Sequence, residues 1–413
     1  MKLGYNRMKC GLIGERLGHS FSKMIHAELA DYSYELLELP PEAVEDFVKN
    51  SDLDAFNVTI PYKKDVIPFI DVLSAEAKAI GSVNTIVRKS GKIYGYNTDY
   101  FGFSHMIDLS GIEVKGKKAI IFGKRGTAVT ANAVLRDKGV SDVVMLGSCD
   151  NTHENRQKYS DYEIIVNATP VGMYPKNGAS PTTLSEFPKC ICVYDVIYNP
   201  SLTALLLEAE EKKIPYVNGL PMLVAQAAKA FEYFTGDTYE NGCIEKITDK
   251  ITKDTLNIIL VGMPGSGKTT VGSLISKMLG REFIDTDVEF EKSNGLSPAE
   301  CINTMGEKKF RELECDIIRN VGKRSGIVIA TGGGVVTQAC NYAPLHQNGK
   351  IFFIERDLKN LSRDGRPLSM KISAEDMYLS RINSYRRFAD FVIYSNENPD
   401  DTAKNIISEF KKM

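Results

Sequence analysis

The sequence predicts an α/β protein of two or three domains, two of which contain parallel sheets. A chain of 413 residues is too long for one ordinary domain. Short apolar runs alternate with helix-compatible segments, as expected for successive β–α units. At two places, after residues 118–122 and after 256–261, an apolar run leads into a glycine-containing turn and then a helix. This strand–turn–helix start is typical of sheets that bind nucleotides.

The composition argues against several classes of partner. Hydrophobic residues make up 43% of the chain, which is enough for ordinary globular cores, and 51 basic residues nearly balance 53 acidic ones. Nucleic acid and anionic membranes are therefore not expected as partners. Neither a membrane-length segment nor a signal peptide is expected. The eight cysteines and five histidines are scattered, without metal-ligand spacing or a disulfide framework, so we expect reduced thiols and a cytoplasmic location.

The most specific single motif is the run 262–269, GMPGSGKT. It follows the apolar run Leu256–Val261 and precedes the helical segment Thr270–Leu279, which argues against a chance match. Its glycines allow backbone N–H groups to surround a phosphate at the helix N-terminus. Lys268 is expected to reach the outer phosphates of ATP, and the Thr269 hydroxyl to bind Mg²⁺. The other predicted nucleotide contacts are Gly262, Gly265, Ser266, Gly267 and Thr270.

The first 99 residues contain four predicted strands between polar helices, and polar clusters stand at the ends of these runs. The strands are Lys9–Ile13, Tyr34–Leu39, Ala55–Ile60 and Val83–Arg88, and the clusters are 18–22 (GHSFS), 57–63 (NVTIPYK), 81–85 (GSVNT) and 95–99 (GYNTD). Taken singly, each cluster is adequately explained by helix caps and turns. A functional interpretation therefore depends on their occurring together and in this order.

Together these clusters resemble the shikimate dehydrogenase family. The resemblance continues at 167–173 (NATPVGM), 194–198 (YDVIY) and 219–226 (GLPMLVAQ), and it covers about residues 8–250. It implies a substrate-binding domain at 1–99, completed by 220–252, and a Rossmann-like NADP-binding domain at 100–219. The implied reaction is the NADPH-dependent reduction of 3-dehydroshikimate to shikimate.

The resemblance also implies roles for individual residues. Lys63 and Asp99 would be the catalytic pair, and the chemistry suits them because a carboxylate favours the charged lysine and orients it as a proton donor. A solvated surface lysine is the simpler alternative for Lys63 alone. The implied substrate contacts are Ser20 and Ser22 to the carboxylate, Tyr198 near it, and Thr59, Asn84 and Gln226 to the ring hydroxyls.

The cofactor-binding half departs from the family pattern in two places. The predicted strand Lys118–Phe122 leads into a turn in which Arg125 replaces a usual glycine, and this arginine either pairs with the phosphates or crowds them. The strand Val143–Leu146 is followed by 147–149 (GSC) instead of the Asn-Arg-Thr that usually grips the 2′-phosphate of NADP. We still expect NADP. The expected cofactor contacts are Gly123, Lys124, Arg125, Gly126, Thr127, Ala128, Asn167, Ala168, Thr169 and Gly219, and the candidate replacements for the missing cation are Lys124, Arg125 and Arg156.

Further motifs follow the phosphate loop in the last part of the chain, namely 282–287 (EFIDTD), 306–314 (GEKKFRELE), 331–334 (TGGG), 366–368 (RPL) and 381–385 (RINSY). With the phosphate loop they resemble shikimate kinase over about residues 255–411, which implies a P-loop kinase domain at 255–413. Gluconate-type kinases share the phosphate loop, but this combination favours shikimate. The implied product is shikimate 3-phosphate.

The kinase residues are expected to act mainly through charge. In an extended segment Asp285 and Asp287 would face the same way, Asp285 toward the metal and Asp287 toward the reacting hydroxyl. Arg311 and Arg381 would bind the substrate carboxylate, because a guanidinium offers paired hydrogen bonds. Helix-surface charges are the simpler interpretation of both arginines. The remaining implied contacts are Gly332, Gly333 and Gly334 to the substrate and Arg366, on a lid, to the transferred phosphate.

The leading hypothesis is therefore a bifunctional enzyme that acts on small-molecule substrates. One alternative is a working kinase joined to a non-catalytic dehydrogenase-like module, which the altered 123–128 turn favours and the retained Lys63 and Asp99 oppose. Another is quinate as the substrate of the first half. The sequence makes no prediction of oligomeric state.

Overall fold

A computed structural model describes residues 5–18, 20–361, 373–395 and 398–413. The chain forms two compact units, Met1–Asn199 with Thr203–Ile251 and Pro200–Leu202 with Thr252–Met413. Within the described ranges, no helix combines the length and apolar character needed to cross a membrane.

The first unit begins with a mixed six-stranded sheet of order β2-β1-β3-β5-β6-β4. Its elements are β1 (Lys9–Gly14), α1 (Ser22–Leu29), β2 (Ser33–Glu38), α2 (Val44–Asn50), β3 (Ala55–Val58), β4 (Val72–Leu73), α3 (Ala75–Ile80), β5 (Thr85–Lys89), β6 (Lys92–Tyr96) and α4 (Asp99–Ser110). β1 pairs in parallel with β2 and β3, whereas β5 is antiparallel to β3 and β6. Four of these strands lie within two residues of the predicted bounds.

A second sheet in this unit has five parallel strands in the order β11-β10-β9-β7-β8. Its elements are β7 (Lys118–Phe122), α5 (Gly126–Asp137), β8 (Asp142–Leu146), α6 (His153–Gln157), β9 (Ile164–Asn167), β10 (Cys192–Asp195), α7 (Ala204–Glu211) and β11 (Tyr216–Val217). β9 and β10 are buried at every residue, which explains their continuous apolar runs. This sheet confirms the Rossmann-like prediction.

Two further helices, α8 (Leu220–Thr235) and α9 (Cys243–Thr255), pack against α1. On α9 the buried residues Ile244, Ile247 and Ile251 recur at helical spacing and cover Ile25. Residues near the end of α8, including Phe231 and Phe234, pack against β1. These helices therefore complete the core beside the first sheet.

The second unit contains five parallel strands in the order β13-β14-β12-β15-β16. Its elements are β12 (Asn257–Val261), α10 (Lys268–Leu279), β13 (Phe283–Asp285), α11 (Thr286–Asn294), α12 (Pro298–Met305), α13 (Glu307–Val321), β14 (Val328–Ala330), α14 (Tyr342–His346), β15 (Gly349–Glu355), α15 (Ala374–Phe388), β16 (Phe391–Tyr394) and α16 (Pro399–Lys412). β12 is central and fully buried, and its carboxyl end leads into the glycine-rich loop. This is the expected position for a phosphate site.

Two candidate active sites

The first site is organised around a buried ion pair. Lys63 Nζ lies 2.6 Å from Asp99 Oδ2, and the two side chains are 18% and 2% exposed. Asn84 donates a hydrogen bond of 2.8 Å from Nδ2 to the other carboxylate oxygen, Asp99 Oδ1. Lys63 follows β3, Asn84 precedes β5, and Asp99 is the first residue of α4. Because both carboxylate oxygens are held, the ammonium group has a fixed position.

Two serines and a tyrosine form a second polar group in this unit. The hydroxyl oxygens of Ser20 and Ser22 lie 3.1 Å apart at the start of α1. The Tyr198 ring lies beside Phe21, the residue between the two serines, with 5.0 Å between the ring centroids. Burial raises the pKa of Tyr198 to about 12. The phenol is therefore a hydrogen-bond donor at neutral pH.

Thr59 and Gln226 are each held in place by close packing against a glycine. A Cβ atom at Gly14 would lie 2.6 Å from Thr59 Cγ2, and one at Gly102 would lie 2.6 Å from Gln226 Cγ. Gly102 lies on α4, three residues after Asp99, and therefore on the same face of that helix. Thus α8 brings Gln226 to the helix that begins with Asp99.

The predicted cofactor turn packs against the loop after β9. Gly123 has a φ of +124°, and a Cβ atom there would lie 2.9 Å from the Ala168 carbonyl oxygen. Asn167 Oδ1 accepts hydrogen bonds from the Thr169 N–H (3.1 Å) and hydroxyl (2.7 Å). Gly126, Thr127 and Ala128 form the first turn of α5, whose free N–H groups favour an anion. A side chain at Gly219 would overlap the Val196 carbonyl.

A buried carboxylate that the sequence did not single out joins these segments. Asp195 accepts hydrogen bonds from Asn167 Nδ2 (3.1 and 3.0 Å), the Ile197 N–H (3.0 Å) and the Thr203 hydroxyl (2.7 Å). Burial raises its pKa to about 6, although these donors act in the opposite direction. Asp195 lies inside the 194–198 motif. The two features that identify it, its burial and its donors, are visible only in three dimensions.

In the second unit, the glycine-rich loop has the backbone of a phosphate cradle. Gly262, Gly265 and Gly267 have φ values of +156°, +83° and +93°, which side-chain-bearing residues rarely adopt. Lys268 is 7% exposed, and its Nζ donates to the carbonyl oxygens of Gly262 and Met263 at 2.9 Å each. The ammonium group is therefore held inside the loop.

The two aspartates reach the site in a way that the sequence did not predict. β13 ends at Asp285, and Asp287 lies in the first turn of α11, so the expectation of an extended segment is wrong. The reason is helix capping, because Asp285 Oδ1 accepts the Asp287 N–H at 3.0 Å. Asp285 Oδ2 also accepts from the Thr269 hydroxyl at 2.7 Å. Asp287 Oδ1 lies 2.7 Å from the position that a Cβ atom at Gly332 would occupy.

A largely buried arginine lies against the triple glycine. Arg311 donates to Glu314 Oε2 at 2.8 Å and to Glu307 Oε1 at 3.2 Å. A Cβ atom at Gly334 would lie 2.6 Å from the Arg311 Cζ atom and closer still to both Nη nitrogens. Arg311 Nε is buried and has no hydrogen-bond partner among the described residues. The site thus keeps one donor available for a ligand.

A second arginine approaches the same glycines from α15. Arg381 Nη1 donates to the Gly333 carbonyl at 3.2 Å, and the Tyr385 hydroxyl donates to the same oxygen at 2.5 Å. Burial raises the pKa of Tyr385 to about 12, so it remains a donor at neutral pH. Arg366, the predicted lid residue, lies outside the described residues.

A cleft beside the phosphate loop includes a residue that the sequence analysis missed. Ser266 and Thr270 line one side, and Arg356, Ser395 and Pro399 line the other. Ser266 Oγ and Arg356 Nε are buried and have no hydrogen-bond partner among the residues that the structure describes. Arg356 directly follows β15, and the carboxyl end of a parallel strand is the signal that would have drawn attention to it.

Comparisons with known proteins match two separate parts of the chain to two families. A family model described as the shikimate dehydrogenase substrate binding domain matches residues 12–86, and one described as shikimate kinase matches 264–411. The NADP(+) shikimate dehydrogenase of Caldanaerobacter subterraneus subsp. tengcongensis is 34% identical over 276 residues, covering 60% of this chain and 99% of that protein.

Solved structures give the same result for the first unit. Shikimate dehydrogenase 1 from Peptoclostridium difficile is 32% identical, with a TM-score of 0.55 over 59% of this chain and 97% of its own. The Thermus thermophilus shikimate 5-dehydrogenase, solved with NADP(H) and shikimate, is 30% identical, with a TM-score of 0.54 over 59% of this chain and 99% of its own. The chain therefore belongs to the shikimate dehydrogenase family and carries a fused shikimate kinase domain.

Proposed function

We propose that this bifunctional enzyme reduces 3-dehydroshikimate to shikimate with NADPH and then phosphorylates shikimate to shikimate 3-phosphate with ATP. The family matches support both activities. The observation that best supports the first activity is the buried Lys63–Asp99 ion pair, in which Asn84 donates a hydrogen bond to the Asp99 carboxylate. We assign the substrate domain to residues 1–99 with 220–252, the cofactor domain to 100–219 and the kinase domain to 255–413.

In the reduction, NADPH supplies the hydride when it is bound. Lys63 Nζ donates a proton to the alkoxide that forms on the substrate, and Asp99 orients the ammonium group. A positioned acid of this kind contributes about 10²- to 10⁴-fold to the rate. The buried setting strengthens the pair because little solvent screens it.

The substrate would be held by hydroxyl and amide groups. Ser20 and Ser22, with the Tyr198 phenol beside them, are donors suited to the substrate carboxylate. Thr59, Asn84 and Gln226 would bind the ring hydroxyls, and the contact between Asn84 and Asp99 links this recognition to the proton donor.

The 123–128 turn suits a dinucleotide. Gly123 packs so closely on Ala168 that a side chain would push the turn away from the 167–169 loop. The first turn of α5 presents unpaired N–H groups, which favour a pyrophosphate. In this proposal Arg125, Thr169 and Gly219 complete the contacts, and Asp195 acts through Asn167 as a positioning residue.

In the phosphoryl transfer, the protein mainly positions groups and stabilises charge. Lys268 and the loop N–H groups would hold the phosphates, and Thr269 and Asp285 would hold Mg²⁺, which commonly takes one or two protein oxygens in addition to phosphates. Asp287 would orient or deprotonate the attacking hydroxyl, and Arg311 and Arg381 would bind the carboxylate.

Two features of the second unit support this assignment. Gly332 and Gly334 allow Asp287 and Arg311 to pack directly against the backbone of this loop, because a Cβ atom at either glycine would collide with the facing side chain. The cleft at Ser266 and Arg356 lies next to the phosphate loop and suits the nucleoside part of ATP. From its motif alone, Arg366 would contact the transferred phosphate.

Paired variants of the full chain test both activities. In Lys63→Met we expect NADPH oxidation with 3-dehydroshikimate to fall at least about 100-fold while ADP formation with shikimate stays near wild type. In Lys268→Met we expect ADP formation to fall while NADPH oxidation stays near wild type. Each activity thus serves as the control for the other variant. No NADPH oxidation and no cofactor binding by the wild type would instead support a non-catalytic module, and preferred oxidation of quinate over shikimate would reassign the substrate.

A further inference from the structure

The end of β8 decides which nicotinamide cofactor a sheet of this kind accepts. In such folds the adenosine ribose lies at the end of the second strand, where an acid binds the 2′-hydroxyl of NAD or a cation binds the 2′-phosphate of NADP. Here Leu146 is followed by Gly147, Ser148, Cys149 and Asp150, so this loop supplies an acid and no cation.

A lysine from the cofactor turn reaches this loop. A Cβ atom at Gly147 would lie 3.0 Å from Lys124 Cδ, so the lysine side chain runs across Gly147. Its Nζ forms an ion pair with Asp150, and the two side chains are 53% and 42% exposed. The hydrogen bond from Lys124 lowers the pKa of Asp150, which is therefore ionised at neutral pH. Both groups are accessible to a ligand.

The other two candidate cations are placed differently. Arg156 donates to both carboxylate oxygens of Glu186 and to the backbone and side-chain oxygens of Asn151, and its side chain is only 17% exposed. These four bonds use four of the five N–H donors of the guanidinium, so little of its donor capacity remains for a ligand. Arg125 is exposed at the N-cap of α5, in the turn itself, where it suits the pyrophosphate that both cofactors share.

We propose that the Lys124–Asp150 pair determines cofactor choice, with Lys124 binding the 2′-phosphate of NADP and Asp150 accepting the 2′-hydroxyl of NAD. This proposal rests on the proposed dehydrogenase function. NADP must draw Lys124 away from Asp150 and place its 2′-phosphate near that carboxylate, which weakens its binding. NAD keeps the ion pair intact. The chain therefore discriminates weakly between the two cofactors.

Opposite charge changes at the two positions test the proposal. The dissociation constants of NADPH and NADH are measured by the fluorescence change of the nicotinamide on binding, together with kcat/KM for each cofactor. We expect Lys124→Met to weaken NADPH about tenfold and to change NADH less than twofold, because only one cofactor carries the 2′-phosphate. We expect Asp150→Asn to tighten the binding of NADPH and weaken that of NADH. The ratio of the two dissociation constants should therefore shift about tenfold in the opposite direction.

Two controls identify the origin of any effect. Lys118→Met removes a comparable lysine, 44% exposed against 53% for Lys124, that pairs with Asp161 at the opposite end of β7, and it should leave both constants unchanged. Arg125→Ala should weaken both cofactors alike. Equal effects of Lys124→Met on NADPH and NADH, or an unchanged ratio in Asp150→Asn, would overturn the cofactor-choice proposal. Failure of the wild type to bind either cofactor would instead overturn the dehydrogenase function.

Discussion

Substituting Gly334 with alanine should disable the kinase without a backbone penalty. Gly334 has a φ of −101°, which alanine adopts freely. The added Cβ atom would lie 2.6 Å from Arg311 Cζ, well inside van der Waals contact. The guanidinium has little space to retreat because it is largely buried and bonded to Glu314 and Glu307.

The size of the effect follows from the bonds that must break. Moving the guanidinium by about 1 Å weakens its charge-assisted bond to Glu314 and shifts the donor proposed for the substrate carboxylate, and such bonds contribute about 1.5–3 kcal/mol each. With partial compensation, we expect a loss of about 2–4 kcal/mol of transition-state stabilisation. This corresponds to a decrease in kcat/KM for shikimate of roughly 30- to 1,000-fold.

The assay compares ADP formation and NADPH oxidation by the same purified chain. NADPH oxidation should remain at the wild-type level, because Gly334 lies in the second unit. Gly295→Ala is the control, since its φ of +72° imposes strain of about 1–2 kcal/mol but nothing lies within 4 Å of the new Cβ atom. A folded Gly334→Ala protein with kcat/KM for shikimate within threefold of wild type would refute this reasoning.

Two further substitutions test the proposed roles of carboxylates. Asp287→Asn should reduce ADP formation about 10²- to 10⁴-fold with NADPH oxidation unchanged, and near-normal phosphorylation would remove Asp287 from the hydroxyl-activating role. Asp195 has a folded-state pKa of about 6, raised by burial. Its stabilising effect is therefore present at low pH and lost as the pH rises through about 6. The unfolding free energy of the wild type relative to Asp195→Asn should accordingly fall by a few kcal/mol between about pH 4 and pH 7, and a difference that does not change with pH would contradict the assignment.

The fold could be predicted from the sequence mainly where burial and local rules agree. β7 has the predicted bounds, because it is a short apolar run closed by a polar residue at one end and a glycine turn at the other. The β5–β6 hairpin was not predicted. Its turn uses Ser90 and Gly91 with φ values of +52° and +72°, and only the glycine is a clear turn signal. Because Ser90 is not such a signal, the sequence did not indicate this two-residue turn.

The site residues differ in predictability for a physical reason. Lys63 and Asp99 lie 36 positions apart in the sequence, yet each belongs to a short motif that has a chemical interpretation by itself. Asp195 and Arg356 matter because of what surrounds them, namely four hydrogen bonds for one and an unpartnered buried nitrogen for the other. Burial and pairing are properties of the packed chain, so composition and spacing do not encode them locally.

The same limit explains the error at Asp287. The spacing of two residues from Asp285 has a different meaning in a strand and at a helix start, and the sequence alone does not distinguish the two. The cap formed by Asp285 ends β13 and turns the backbone into α11. One carboxylate therefore serves both the helix start and the Thr269 hydroxyl. A substitution at Asp285 consequently perturbs the helix cap together with the site, whereas a substitution at Asp287 leaves the Asp285 cap in place.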